Sequence, residues 1–345
     1  MVLTIIAAVF VFGLLVLVHE LGHFVTAKMA GMRVDEFAIG FGPKLVSVRR
    51  GETVYSIRAI PLGGFNDIAG MDPEHNTAGE RGYCERPIFS RMYVILAGSL
   101  MNLVLPIFIF FGIFLTVGAQ TPSSEPVLGK VMEDKPAYVA GLQSGDRIVS
   151  IDGKAIATWL DFVNSVQDSA GENLTVVYER EGVRAETQVT PEYDKQAQRA
   201  LMGVLANVET LHPGLIDAFF MALERTWLII TMMLTALVNL ILELSGSDLA
   251  GPIGVAQMAG EVAERGIVPL LNFTALLSLN LGIINLFPIP ALDGGHFLTL
   301  IIEAVRGKPL SPKAMYYAQR VGIALLILLM LFATRNDIMR LFFGG

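Results

Sequence analysis

From Val2 to Ala27 the chain is apolar except for Thr4, His19, Glu20, His23 and Thr26. A helix needs roughly 20 such residues to cross a hydrocarbon layer about 30 Å thick. That requirement constrains the fold more than any other feature. Four further runs compete for the same reading: residues 88–118, 226–242, 269–290 and 321–333. The first run lacks the basic flank and the small-residue cleavage site of a signal peptide. Composition agrees, since 53% of the 345 residues are apolar and only 17% are charged, against about 25% in soluble domains. This argues against an ordinary soluble enzyme and against a disordered chain. The 25 Lys and Arg face 32 Asp and Glu, a formal net charge of −7, so no basic excess invites nucleic acid. A single cysteine, Cys84, allows neither an internal disulfide nor a multi-thiolate metal site.

The middle of the chain differs. Residues 122–193 are polar and carry short alternating runs, with Gly145-Asp146 and Asp152-Gly153 as turns and a short amphipathic helix from Trp159 to Ser169. Such a pattern predicts one small α+β domain.

The chemistry concentrates in His19-Glu20-Leu21-Gly22-His23. Residues four apart share a helix face, so both imidazoles can grip one ion while Glu20 reaches a water bound beside them. Two helix histidines with ordinary hydrogen bonds are the plain alternative. Ionisable groups are costly inside a membrane helix and are usually functional there, which favours a metal site. A zinc site wants a third protein ligand. The remaining histidines are His75, His212 and His296, and the best carboxylate is Asp293, directly after an uncharged run broken by Pro288 and Pro290. The plainer use of Asp293 is as the N-cap of a helix from Gly294 to Val305, and the ligand reading is favoured over it.

These stretches together resemble the site-two protease family of intramembrane zinc metalloproteases, in its bacterial regulated-intramembrane-proteolysis branch. The matching residues are His19 to His23, Gly40-Phe41-Gly42-Pro43, Tyr55 to Gly64, Ala97 to Asn102 and Asn285 to Gly295. Residues 128–154 resemble that branch's PDZ domain, with room for one copy where many relatives have two. The resemblance implies that His19, His23 and Asp293 hold Zn2+ and that Glu20 is the catalytic base. It places Asn102 near the active site and Asn285 against the substrate backbone. Phe65-Asn66-Asp67-Ile68 departs from the hydrophobic–basic run that often follows the paired glycines in that family.

If one ion joins His19, His23 and Asp293, the first run and the run before Asp293 point the same way. An even number of crossings then separates residues 118 and 269. We therefore expect four transmembrane helices, with 212–250 an amphipathic or brace segment and no lone crossing. The divisions are 1–118, 122–193, 212–250 and 265–345. Nine Lys or Arg between Lys28 and Arg91, against eight basic and fourteen acidic residues in 119–216, put the N-terminus and PDZ-like domain outside the bacterial inner membrane. The metal then lies toward the cytoplasm.

Residues 44–49 and 53–58 flank Arg50-Gly51-Glu52 as a membrane-associated β-hairpin. An ordinary hairpin is one reading, and an edge that pairs with an unwound substrate is the other. Tyr55, Ile57, Gly63 and Gly64 are its candidate substrate-binding or supporting residues. The expected fold is a multi-pass α-helical membrane protein with this hairpin and an inserted PDZ-like domain. The expected substrates, by resemblance, are single-pass membrane proteins such as anti-sigma factors or signal-peptide remnants. The PDZ-like domain can capture peptide termini, exclude bulky substrates or simply dock. A metal transporter, or a scaffold with a non-catalytic metal site, are the rival functions.

Overall fold

The computed structural model describes residues 1–71, 78–194, 197–243 and 251–343. His75 and residues 244–250 of the brace segment lie outside the described residues. The chain forms two compact units, Met1–Ile113 with Leu215–Gly345, and Phe114–Gly214.

The first unit opens with α1 (Val2–Met29), about 42 Å of helix. Strands β1 (Val34–Arg50) and β2 (Thr53–Ile68) follow, then α2 (Ile88–Thr116). The hairpin is longer than the sequence suggests and folds back on itself. Residues 44–50 pair with 53–58, while residues 36–39 pair with 54–57 on one side and with 64–67 on the other. The bend falls at Gly40 (φ +89°) and Gly42 (φ +83°), where L residues with a Cβ are strained. At its centre Glu36 accepts hydrogen bonds from Ser56, Arg58 and Lys44 at 2.6, 2.7 and 2.9 Å. Burial opposes the charge there, yet those three donors outweigh it and hold the Glu36 carboxyl down at about 2.

The second unit is built from short strands and two short helices. Strands β3 (Ala119–Pro122) and β4 (Leu128–Val131) lead to α3 (Pro136–Val139). Then come β5 (Arg147–Ile151), β6 (Lys154–Ala155), α4 (Trp159–Val166), β7 (Leu174–Arg180) and β8 (Val183–Val189). Four short strands close the unit: β9 (Glu192–Asp194), β10 (Arg199–Leu201), β11 (Val204–Ala206) and β12 (Val208–Leu211). The main sheet runs β6-β5-β7-β8, and β12 pairs with β3 so that the two ends of the unit meet. Leu128, Ile148, Phe162, Val176 and Met202 fill the core. Thr158 and Asp161 form a reciprocal capping box that starts α4. A cleft of about 590 Å³ is lined by Trp159, Phe162 and Val166 of α4 with Met202 and Val204 opposite.

The first unit resumes with α5 (Leu215–Glu243), α6 (Pro252–Glu264), α7 (Ile267–Asn285), α8 (Asp293–Arg306) and α9 (Pro312–Phe343). Helix α6 is not visible as a separate element in the sequence. Among the described residues five helices are long and apolar enough to cross a membrane, one more than the four crossings expected. The additional one is Leu215–Asn239, the least hydropathic of the five at 1.5. The chain is a multi-pass helical membrane protein.

Contacts fix the helix directions. Gly260 of α6 sits against Thr4, and Ala7, Val11 and Leu15 of α1 pack with Leu270 near the start of α7. At the other end of α1, His23 lies beside Asp293, which follows α7. Helices α1 and α7 therefore run the same way. Helix α2 runs against them, since its Val94 lies beside His23 and its Asn102, eight residues later, beside His19. Arg91 of α2 and Glu303 of α8 form a two-bond ion pair at 2.6 and 3.2 Å, which ties α8 to α2.

Candidate metal centre

Three elements converge on one point. The α1–α2 crossing is close because Gly22 faces the main-chain oxygen of Ala97, at a distance of 2.5 Å from where a Cβ would stand. One residue on, a Cβ at Gly98 would lie 2.2 Å from His23 Nε2. Small residues thus let the imidazole lie against the α2 backbone. The Pro288-Ile289-Pro290 stretch ends α7, and the main chain of Gly294 and Gly295 packs against carbonyls of Leu286, Phe287 and Ile289. That tight turn brings Asp293 back to α1.

His19, His23 and Asp293 each present a ligand atom, and all three atoms lie within 4.8 Å of one another. His19 Nε2 and His23 Nε2 are 3.2 Å apart, and Asp293 Oδ2 is 3.4 and 3.5 Å from them. Charge-assisted hydrogen bonds run at about 2.7–2.9 Å, so the carboxylate is set too far for direct pairing. A tetrahedral ion with bonds of about 2.0–2.1 Å needs ligand atoms about 3.3 Å apart. The donor set fits zinc in chemistry and in spacing. Asp293 is the first residue of α8, and Leu292 is its N-cap with no side-chain cap bond. The N-cap reading of Asp293 is thereby replaced.

The surrounding shell orients these groups. His23 Nδ1 donates to Val94 O at 2.8 Å, which leaves Nε2 free for an ion. The fully buried Ser99 donates to Asp293 Oδ2 at 2.8 Å. Asn102, also fully buried, has its amide 3.3 Å from His19 Nδ1, while its Oδ1 has no partner. An ion on Nε2 would leave the ring proton on Nδ1, and the Asn102 amide turned to present Oδ1 would accept it. Ser278 of α7 donates to the main-chain oxygen of Asn102 at 2.7 Å and joins α7 to the same point.

Glu20 stands beside the triad. Its carboxylate accepts from Asn66 Nδ2 at 2.7 Å, and its main-chain oxygen accepts from the same nitrogen at 2.8 Å. A Cβ at Gly64 would lie 2.9 Å from Glu20 Cγ, so the strand segment 64–68 presses on this residue. Gly63 (φ +114°) makes room for the Phe41 ring. Tyr55 and Ile57 are placed differently from a substrate-pairing edge. Their segment is paired on both sides, and the Tyr55 ring packs on Phe24 of α1 and on Phe37. The sheet edge beside Glu20 is 64–68. Asn285 is half-buried at the end of α7, eight residues before Asp293. Ser99 and Asn66 carry contacts that the sequence reading did not assign. The first was hidden because a helix serine needs no special partner. The second stood in the one motif that departs from the family pattern.

The sequence profile of peptidase family M50 matches residues 7–329. The chain belongs to peptidase family M50. It is similar to the "Zinc metalloprotease RasP" of Bacillus licheniformis, at 35% identity over 98% of this chain and 99% of that one. It is 34% identical to the "Regulator of sigma-W protease RasP" of Bacillus subtilis, over the same shares of both chains. The RasP of Geobacillus kaustophilus is 35% identical, over 98% of each. One solved structure, the PDZ domain of an SdrC-like protein of Listeria innocua, aligns with 26% of this chain and 100% of its own length, at 25% identity and a TM-score of 0.22. This M50 member is an intramembrane protease that uses Zn2+.

Proposed function

We propose that this zinc metalloprotease hydrolyses peptide bonds within or beside the transmembrane helix of single-pass membrane proteins. In this reading His19, His23 and Asp293 hold the metal and Glu20 is the general base. The observation that carries it is the meeting of two α1 histidines and the α8 carboxylate around one point with Glu20 alongside. Zinc, when bound, supplies a Lewis acid for the scissile carbonyl and a water of lowered pKa. Glu20 takes the proton of the attacking water and returns it to the leaving amine. Ser99 and Asn102 keep the ligands aimed. The segment 64–68 offers an unwound substrate the backbone partners that its helix gave up. That segment, in place of 53–58, is the docking edge.

Anti-sigma factors suit this reading, since one relative is named as a regulator of sigma-W. Signal-peptide remnants share the same single-span chemistry. The cleft beside α4 has the size and apolar lining to take a peptide terminus. The charge distribution supports a bacterial inner-membrane protein with its N-terminus outside and its metal toward the cytoplasm.

Helix α5 acts as a brace. Phe219 packs on Phe111 near the end of α2, and Asp337 near the end of α9 accepts from the Gly251 and Gly254 main-chain N–H groups. Phe111 lies toward the α1 N-terminal end of the bundle because α2 runs against α1. From Phe219 to Glu243 the helix rises about 36 Å. Among the described residues one cluster of three His, Cys, Asp or Glu side chains can hold a metal.

The direct test is Glu20→Gln, assayed on a cleavable single-span membrane substrate with zinc content measured in parallel. Cleavage falls about 10²–10⁴-fold with zinc retained if Glu20 is the base. Unchanged cleavage overturns this reading.

A further inference from the structure

We propose that Asn66 is a positioning residue for the general base, and that it couples Glu20 to the strand edge that docks substrate. This rests on the reading of Glu20 as the base. Asn66 Nδ2 donates both to Glu20 Oε2 and to the Glu20 main-chain oxygen, at 2.7 and 2.8 Å. The carbonyl is an acceptor only, as is an ionised carboxylate, so the amide nitrogen has to face them. One bond is anchored on the α1 backbone and the other on the mobile end of the side chain. Together they set the direction of the carboxylate relative to the helix and leave Oε1 for the water proton.

The strand geometry shows why the amide comes from this position. Gly64 and Asn66 are two apart and share one face of the segment. Gly64 approaches Glu20 Cγ, and Asn66 reaches its carboxylate. Phe65 points the other way, against Phe41 and under Arg58. A shift of the edge on docking therefore moves the group that aims the base. The Oδ1 of Asn66 is buried without a partner. Such an orphan acceptor is costly, and a leucine would fill the space without it. The two bonds to Glu20 are the compensating use of the amide.

The test uses the full chain in detergent micelles with a single-span substrate. It compares Asn66→Ala, Asn66→Asp and Asn66→Gln, reading kcat, KM and zinc content separately. Asn66→Ala and Asn66→Asp are expected to lower kcat about 10–100-fold while KM and zinc content stay within about twofold. Asn66→Gln, which keeps the amide donor, recovers most of that loss. If Asn66→Ala does not fold, the isosteric Asn66→Asp carries the test. A kcat within about twofold of wild type for the donor-less variants overturns the proposal. So does a loss expressed only in KM or zinc content, or a Gln variant no better than Ala. Glu20→Gln run alongside separates the two ideas. An active Glu20→Gln removes the proposed base itself, whereas an inactive Glu20→Gln beside an unimpaired Asn66→Ala removes only the role of Asn66.

Discussion

Asp293 meets both imidazoles through one oxygen, and Ser99 holds that same oxygen at 2.8 Å. Removing the hydroxyl frees the carboxylate to rotate away from the ion without changing any ligand. Ser99→Ala is expected to weaken zinc binding about 10–100-fold, read by competition with a chromophoric chelator. Ser99→Thr keeps the donor and recovers part of the loss, and an unchanged affinity for Ser99→Ala would remove the role. At this scale the sequence is legible where charge stands out against an apolar run. His19, Glu20 and His23 are visible for that reason. Ser99 is not, because a serine in a helix can satisfy its hydroxyl on its own preceding turn. Asn66 is visible only as a departure from a pattern, and its target lies forty-six residues away.

Among the elements, the α1–α2 crossing is the most sensitive. Gly98 has no space for a side chain, since the imidazole that serves the metal occupies it. Gly98→Ala is expected to displace His23 Nε2 and to cost most of the bound zinc at equal protein folding, measured by metal analysis with circular dichroism. A variant with full zinc would show that the crossing can relax. The hairpin shows a different limit of sequence reading. Residues 44–49 and 53–58 carry the strand signal and do pair, yet the segment beside Glu20 is 64–68. Glycines and Pro43 interrupt the alternation there, and which edge stays unpaired depends on contacts between bends. Alternation along one strand says nothing about that. Helix α6, thirteen residues with two glutamates, is likewise short and polar enough to read as a loop.

Across the whole molecule, one inference from the sequence carries the topology. A shared ion demands that α1 and α7 run in the same direction, and the packing of Leu270 near Ala7 and of Asp293 near His23 has them do so. Hydropathy contributed the candidate helices but not their directions. It also marks α5 as equal in kind to the rest, with a mean hydropathy of 1.5 against 1.8–2.8 for the other four. The claim beneath the directions, the site and the chemistry is that two histidines of α1 and an aspartate some 270 residues later bind the same zinc. Zinc stoichiometry in the purified wild type, His23→Ala and Asp293→Ala proteins, each verified as folded, tests it most directly. The expected result is about one zinc per chain in the wild type and a loss of at least about tenfold in affinity in both variants. Full zinc retention in Asp293→Ala with loss in His23→Ala would contradict it.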